Sequence, residues 1–188
     1  MGRAKQKEHQ LVARAIGGDA AAFGTLYEHN MDAIYRYIYF RVEHTQEAED
    51  LTEQVFLNAW QALPDYEPRG FSFASWLYRI AHNVVVDYQR QGKFLADGET
   101  PETLVLADDK PTSLEQVIAN EERQRLAGAL RKLPEMQRDV ILLRFVEGLS
   151  HDEVAAVVAK SPGACRTIQY RALLALETLL AGEKVSQR

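Results

Sequence analysis

The stretch from Pro162 to Leu176 combines small, hydroxyl, amide and guanidinium side chains in one predicted helix. On a helical wheel at about 100° per residue, Arg166, Thr167 and Tyr170 point away from the apolar side. Small residues let a helix backbone approach a DNA groove, and arginine offers paired donors to guanine or phosphate. No Asp or Glu occurs between Val154 and Leu176, which suits a surface that faces phosphates. The stretch therefore favours DNA binding.

Residues 148–176 as a whole predict a short helix, a tight turn and a longer helix, which is the helix-turn-helix pattern. A plain three-helix bundle with a solvated arginine face would use the same residues, and we favour DNA binding over it. Leu174 points outward on the wheel. The residues expected to face the core are Cys165, Ile168, Ala172, Leu173 and Leu176.

A second stretch without acidic residues runs from Pro68 to Val86 and mixes aromatic side chains with arginines. Aromatic stacking combined with neutralisation of the backbone is how proteins hold single-stranded nucleic acid. Phe73 and Trp76 are expected to belong to the core instead. For Arg69, Phe71, Arg79 and Asn83, contact with nucleic acid and a solvated surface remain equally open.

The composition offers little for catalysis or metal binding. The single cysteine, Cys165, excludes an internal disulfide and the usual zinc-finger spacing. The five histidines are scattered without a metal-binding spacing, and no glycine-rich phosphate loop is present. We therefore predict no catalytic residue, no metal and no cofactor, and we disfavour an enzyme.

Length and charge limit the remaining classes. The 188 residues suffice for one ordinary domain or two small ones, with 46% apolar and 26% charged residues. A net charge of −5 argues against a free-standing nucleic-acid binder. No apolar run approaches the ~20 residues that span a bilayer, and the N-terminus lacks a signal-peptide core. We expect a cytoplasmic protein without membrane insertion.

Apolar residues recur at intervals of three and four, without strand-like alternation, so the predicted fold is all-α. We predict a four-helix domain over residues 1–95, an acidic flexible linker over 96–112, and a helix-turn-helix domain over 113–188. The predicted helices occupy about 8–17, 45–62, 73–90, 114–132, 135–147, 151–158 and 162–180, and a further helix starts after Asp19 and extends at least to Ile38. The signals at their ends are Asp19, Thr45, Ser72, Ser113 with Gln116, Pro134, Gly148, Ser150 with Glu153, and Ser161.

These segments together resemble an RNA polymerase sigma factor of the extracytoplasmic-function type, within the sigma-70 family. The resemblance spans about residues 10–93 and 113–180, and the set of motifs in this order is specific. The matching motifs are AEDLTEQVFLNAW (48–60), FSFASWLYRIAHNVVVDYQR (71–90) and LPEMQRDVILLRFVEGLSHDEVAAVVAKSPGACRTIQYRAL (133–173).

The resemblance implies a role for each motif. The helix over 45–62 resembles the part that binds the β′ clamp helices of core RNA polymerase, with Asp50, Glu53, Gln54, Phe56 and Trp60 in the motif. The loop over 65–72 and the helix after it resemble the part that captures unstacked bases of the −10 element and supports DNA melting, with Arg69, Phe71, Ser72, Arg79 and Asn83. The helix over 162–176 resembles the reader of the −35 element, with Ser161, Arg166, Thr167, Gln169, Tyr170 and Arg171.

The resemblance also implies partners: core RNA polymerase through its β′ clamp helices and β flap, promoter DNA, and an anti-sigma factor. Ala159 departs from the family pattern, which has Gly in this turn, and Ile168 departs from a frequent Arg. The first alternative is a helix-turn-helix transcriptional regulator that is not a polymerase subunit. The second is a helical adaptor that binds protein alone.

Overall fold

The computed structural model describes residues 3–42, 44–68, 70–92 and 114–185. Every regular element in these ranges is helical, as the all-α prediction requires. The chain divides into two compact units, Met1–Glu102 and Thr103–Arg188. The predicted linker over 96–112 and the Ser113 cap lie outside the described residues. No helix within the described ranges is long and apolar enough to cross a membrane.

The N-terminal unit contains four helices, as predicted, and the first begins at Arg3 rather than near residue 8. They are α1 (Arg3–Ile16), α2 (Ala20–Val42), α3 (Thr45–Ala62) and α4 (Phe73–Gly92), and a 3₁₀ turn (Leu63–Asp65) follows α3. Helix α2 packs against the other three because its apolar stripe faces all of them. The best-buried large apolar side chains of the unit are Leu26, Ile34, Tyr37, Ile38, Val55, Leu63, Leu77 and Val85.

The ends of these helices follow local side-chain chemistry. Asp19 caps α2, since its Oδ1 accepts a hydrogen bond from the Ala22 N–H at 3.0 Å. Ser72 caps α4 through its Oγ, which accepts from the Ser75 N–H at 3.2 Å. The predicted Thr45 cap is wrong: Thr45 is already helical, and His44 takes the N-cap position without a side-chain hydrogen bond.

A buried arginine joins α2 to α4. Arg41 is only 4% exposed, and its Nη2 donates to the Oε1 of Gln89 at 2.8 Å. The Nε2 of Gln89 donates back to the Arg41 carbonyl at 3.3 Å. The Tyr37 hydroxyl also contacts the His82 Nδ1 at 3.3 Å. This polar network fixes α4, which carries part of the candidate site, against the centre of the unit.

The C-terminal unit contains α5 (Leu114–Arg131), α6 (Glu135–Ile141), α7 (His151–Val157) and α8 (Pro162–Val185). Helices α5, α6 and α7 all pack against α8. The unit's core includes Leu133, Val140, Leu142, Leu143, Val154, Cys165 and Ala172, each less than 5% exposed.

The helix predicted over 135–147 is helical as far as Val146, but it does not keep the α-helical pitch throughout. Helix α6 passes into a π-helical turn (Leu142–Val146), in which the Glu147 N–H bonds to the Leu142 carbonyl five residues back. The Arg144 guanidinium donates to the carbonyl of Leu149 beyond this turn. Gly148 ends the segment at φ 73°, a left-handed conformation that glycine adopts without steric cost. Pro134 takes the N-cap position of α6.

Candidate nucleic-acid interface

Helices α7 and α8 form the predicted helix-turn-helix. Ser150 and Glu153 make a capping box at the start of α7, with the Glu153 N–H donating to the Ser150 Oγ at 3.2 Å. The Lys160 N–H closes the turn on the Ala155 carbonyl at 3.0 Å. Ala159 sits in this turn at φ 53°, a left-handed conformation that strains any residue with a Cβ.

The N-terminus of α8 is held by Ser161. Its Oγ accepts a hydrogen bond from the Ala164 N–H at 3.1 Å, which makes Ser161 the N-cap, and Pro162 is the first helical residue as predicted. The first turn of α8 carries no acidic residue. Pro162 has no N–H, and the amides of Ala164 and Cys165 donate to Ser161. The Gly163 N–H and the positive end of the helix dipole therefore favour an anion such as phosphate at this position.

The outer face of α8 has the expected exposure. Arg166, Thr167 and Arg171 are exposed, and Tyr170 is 65% exposed. Thr167 donates its hydroxyl proton to the Gly163 carbonyl at 3.2 Å, so its Oγ1 stays open as an acceptor. Leu174 is exposed as predicted, whereas the expected burial of Leu173 is wrong, since Leu173 is 43% exposed.

Gln169 differs from its neighbours on α8. It is half-buried, and its Oε1 lies 2.9 Å from the Nε2 of His151, the first residue of α7. The wheel places Gln169 at the inner edge of the helix. Nothing in the sequence alone indicates His151 as its partner, because the two residues are 18 positions apart and lie on different helices.

The inner face of α8 contains Cys165. Its side chain is fully buried against the unit's core. Burial raises the pKa of the Cys165 thiol, and the positive charge of Lys160 lowers it by a smaller amount. A thiol in such an environment behaves as a small apolar side chain.

The loop before α4 carries the second candidate surface. Phe71 is 40% exposed, whereas Phe73 is 3% exposed and belongs to the core, as expected. Trp76 is half-buried, with its ring centroid 5.3 Å from that of Phe73. Sequence reasoning missed Tyr66, whose ring lies 4.7 Å from Trp76. Burial raises the pKa of Tyr66, and the carboxylate of Glu8 adds to the rise.

A small pocket opens beside this loop, with a volume of about 90 Å³. Glu8 contributes a carboxylate to it, and the same carboxylate accepts a hydrogen bond from the Phe73 N–H at 3.3 Å. The pocket therefore joins α1 to the start of α4. Its walls are formed by Glu8, His9, Val12, Ala13, Ile16, Tyr66, Pro68, Phe71 and Phe73.

Helix α4 presents its predicted polar residues to solvent. Arg79 and Asn83 are exposed and lie one turn apart. Further along the helix, Arg90 pairs with Asp87 at 3.7 Å in an exposed ion pair. Ser72 is half-buried, because its Oγ caps the helix. Arg69 lies outside the described residues.

Helix α3 presents an acidic and amide-rich face. Asp50, Glu53 and Gln54 are exposed, and the Nε2 of Gln54 donates to Asn58 at 2.7 Å. Phe56 is 5% exposed and packs on Tyr27, with the ring centroids 4.6 Å apart, so this side chain supports the helix from within.

Apolar side chains flank this face of α3. Trp60 is 40% exposed and rests on Phe23, with ring centroids 4.9 Å apart. Sequence reasoning missed Leu57, which is 57% exposed. The face therefore offers carboxylates and amides beside two apolar groups, a combination typical of protein–protein contacts.

Comparison with known proteins identifies the chain. The Sigma-70 region 2 model matches residues 26–94, and the Sigma-70 region 4 model matches residues 123–176. The extracytoplasmic-function (ECF) RNA polymerase sigma factor BldN of Streptomyces coelicolor is 39% identical over 171 residues, which cover 91% of this chain and 65% of BldN. The chain belongs to the sigma-70 family, among its ECF sigma factors.

Other relatives and solved structures agree with this assignment. The RNA polymerase sigma factor CnrH of Cupriavidus metallidurans is 34% identical over 178 residues, which cover 90% of this sigma factor and 92% of CnrH. The structure of CnrH in complex with the cytosolic domain of CnrY superposes with a TM-score of 0.70 at 27% identity, covering 93% of this chain and 97% of CnrH. Sigma factor RpoE from Bartonella quintana, solved with the anti-sigma factor NepR, has the same fold, with a TM-score of 0.71 at 21% identity over 85% of this chain and 96% of RpoE.

The two matched regions contain the two candidate surfaces. Region 2 includes the loop before α4, α4 itself and the polar face of α3, and region 4 includes the helix-turn-helix. The protein is therefore an alternative sigma factor that directs promoter recognition by RNA polymerase. A helix-turn-helix regulator that is not a polymerase subunit is not favoured, because a region 2 domain accompanies the helix-turn-helix.

Proposed function

We propose that this sigma factor binds core RNA polymerase through α3, captures the −10 element with the loop before α4 and α4 itself, and reads the −35 element with α8. The observation that carries the proposal is that each matched region presents an exposed, basic surface in a stretch without acidic residues. Such surfaces suit the phosphates of one promoter. The protein has no catalytic role of its own and works on the polymerase in the cytoplasm.

At the −35 element, Arg166 and Arg171 supply guanidinium donors for guanine edges or phosphates. Tyr170 presents an exposed ring and hydroxyl, and Thr167 presents an acceptor oxygen. The Ser161 hydroxyl and the Gly163 N–H receive a phosphate at the helix N-terminus. The exposure of these groups supports direct contact with the major groove.

At the −10 element, the half-exposed ring of Phe71 stacks on a base of the opened strand. Arg79 and Asn83 continue this surface along α4 and contact the strand backbone and base edges. Ser72 fixes the start of α4, and Arg69, two positions before Phe71 in the sequence, adds positive charge to this segment. Extruding a base costs about a few kcal/mol, which these contacts must offset.

The acidic and amide face of α3 supplies the contact with the β′ clamp helices. Asp50, Glu53 and Gln54 make the polar contacts, Trp60 adds an apolar contact, and Phe56 supports the helix from the core. On region 4, the exposed side chains of Phe145 (56%) and Leu174 (46%) offer apolar area to the β flap. With a net charge of −5, the free sigma factor binds duplex DNA weakly, and attachment to the polymerase supplies the missing affinity.

An anti-sigma factor is the second protein partner that we propose. The sigma factor RpoE, which shares this fold, was solved in complex with the anti-sigma factor NepR. A partner that covers α3 and the exposed apolar residues of region 4 would block access to the polymerase.

In vitro transcription with core RNA polymerase and a library of genomic fragments tests this proposal. We expect Asp50→Ala to weaken core binding about tenfold, as for loss of a contact at the centre of an interface. We expect Arg166→Ala to spare core binding but remove most dependence on the −35 element. Asn83→Ala should leave core binding and −35 recognition unchanged and slow the opening of the DNA strands. The permanganate reactivity of unpaired thymines measures this opening.

The matched control is Glu28→Ala, which removes an exposed acid of α2 that has no proposed contact. It should leave all three measurements unchanged. If the chain binds DNA but confers no promoter-dependent initiation on core polymerase, the proposal is wrong and the regulator alternative stands.

A further inference from the structure

A hydrogen bond between His151 and Gln169 joins the two helices of the helix-turn-helix. The Nε2 of His151 lies 2.9 Å from the Oε1 of Gln169, at ordinary hydrogen-bond distance. His151 begins α7, and Gln169 lies two turns into α8. Both side chains are half-buried, so the bond is partly shielded from competing water.

The direction of this bond restricts what Gln169 can do. An amide oxygen can only accept, so this contact is a hydrogen bond in the tautomer of His151 that has its proton on Nε2. A glutamine that reads adenine in the major groove uses its oxygen and its NH₂ group together. The oxygen of Gln169 keeps a second lone pair, but the bond to His151 holds the amide against α7 and restricts the orientation that a bidentate contact with a base requires. The chemistry of the pair therefore suits a role within the protein.

Gln169 lies close in sequence to two exposed residues of α8 that are proposed to contact DNA. Arg166 lies one turn before Gln169 on α8, and Tyr170 directly follows it. A bond that holds Gln169 to α7 therefore limits how far α8 can rotate or slide and so where these two exposed side chains project. Contacts with base edges tolerate only about 0.5 Å of displacement.

We propose that His151 is a positioning residue for recognition of the −35 element: the His151–Gln169 bond sets the orientation of α8 against α7, and Gln169 acts through this bond rather than by contacting a base. The inference rests on the proposed function of α8. Loss of one partner leaves a half-buried polar group unsatisfied, whereas replacing both by apolar groups of similar size restores a contact at little cost.

The test measures transcription by core polymerase with full-length sigma factor. It uses a promoter fragment taken from the genomic library and the same fragment with a scrambled −35 element. The ratio of the two rates reports −35 recognition alone, because core binding and opening are common to both. The variants are His151→Leu, Gln169→Leu and the double variant His151→Leu/Gln169→Leu, and the thermal unfolding midpoint of each is recorded.

We expect each single variant to lower the ratio about fivefold, as for loss of one hydrogen bond with an unsatisfied partner. The double variant should restore the ratio to within about twofold of the unmodified protein, because the apolar pair replaces the bond. If the double variant is as impaired as Gln169→Leu alone, Gln169 reads DNA directly and the inference is wrong. Unchanged ratios in both single variants would overturn it as well.

Arg166→Ala separates this inference from the proposed function. If that variant keeps the full ratio, α8 does not read the −35 element and the proposed function itself fails. If Arg166→Ala lowers the ratio while the two leucine variants do not, recognition by α8 stands and only the positioning role of His151 is rejected.

Discussion

The carboxylate of Glu8 accepts a hydrogen bond from the backbone N–H of Phe73, with 3.3 Å between Oε1 and N. Phe73 is the first residue of α4, so its N–H is one of those that the helix leaves without an internal partner. A negative charge at a helix N-terminus is also stabilised by the helix dipole. Glu8 of α1 thus completes the start of the helix that carries Arg79 and Asn83, although Glu8 and Phe73 are 65 positions apart in the chain.

Glu8→Gln keeps an acceptor oxygen near Phe73 and removes the charge. Because the carboxylate is the second cause of the raised pKa of Tyr66, after burial, we expect that pKa to fall part of the way to its ordinary value. Tyrosine ring resonances in ¹³C NMR follow the titration, and Tyr66→Phe assigns the signal. Glu28→Gln removes an exposed acid elsewhere and should leave the titration of Tyr66 unchanged. An unaltered Tyr66 pKa in Glu8→Gln would show that the Glu8 carboxylate does not raise the pKa of Tyr66.

The N-terminal unit should lose stability in alkaline solution. Burial is the main cause of raised pKa values at Tyr35, Tyr66 and Tyr88. The unfolded chain ionises these groups near the ordinary value of 10.0, and the folded chain does so only at higher pH. Between the two, the folded state binds more protons, so the free energy of unfolding falls as pH rises above about 10.

Urea unfolding followed by tryptophan fluorescence measures this loss, since both tryptophans, Trp60 and Trp76, lie in the N-terminal unit. Replacing the three tyrosines by phenylalanine should flatten the dependence on pH above about 10. A slope that is the same in the triple variant would assign the alkaline loss to other groups.

Ala159→Gly should stabilise the helix-turn-helix by about 1 kcal/mol, because an L-residue in the left-handed region carries about that much strain. Calorimetric unfolding of the full chain measures the change. Ala156→Gly, in the last turn of α7, is the matched control and should destabilise the unit by about 0.5–1 kcal/mol, because its helical conformation gains nothing from glycine. The prediction fails if both glycines destabilise.

Phe71 and Phe73 offer a matched pair for separating function from stability. Phe71→Ala removes a ring that is 40% exposed and should change the free energy of unfolding by less than about 1 kcal/mol, while promoter opening slows. Phe73→Ala removes a ring that is 3% exposed and should cost about 3–5 kcal/mol. Unfolding curves and permanganate footprints of both variants give the comparison. Normal opening by Phe71→Ala would exclude Phe71 from the −10 contact.

The features that sequence predicted well depend on neighbouring residues. Asp19, Ser72, Ser150 and Ser161 each cap the expected helix, because a short polar side chain reaches amides only two or three residues ahead. The predicted cap at Thr45 is wrong by one position. His44, in an extended conformation, is the N-cap of α3, and it makes no side-chain hydrogen bond to the helix. Exposure along α8 also followed from the wheel, except at Leu173, which is exposed, and at Ile168, which is half-buried.

The features that sequence missed depend on distant residues or on a change of helical pitch. The contact of Glu8 with Phe73 and that of His151 with Gln169 join different helices, so no local pattern encodes them. The π-helical turn at Leu142–Val146 breaks a stretch whose apolar spacing is typical of one α-helix. The hydrogen bond from the Glu147 N–H to the Leu142 carbonyl, five residues back, depends on the backbone conformation and leaves no pattern in the sequence.

The exchange of two hydrogen bonds between Arg41 and Gln89 has a consequence for sequence divergence. The amide of Gln89 serves both the side chain and the carbonyl of residue 41, so neither position can drift without a matching change at the other. Homologous sigma factors that lack the arginine at position 41 should therefore also lack the glutamine at position 89. In an alignment of homologues, we expect these two positions to vary together.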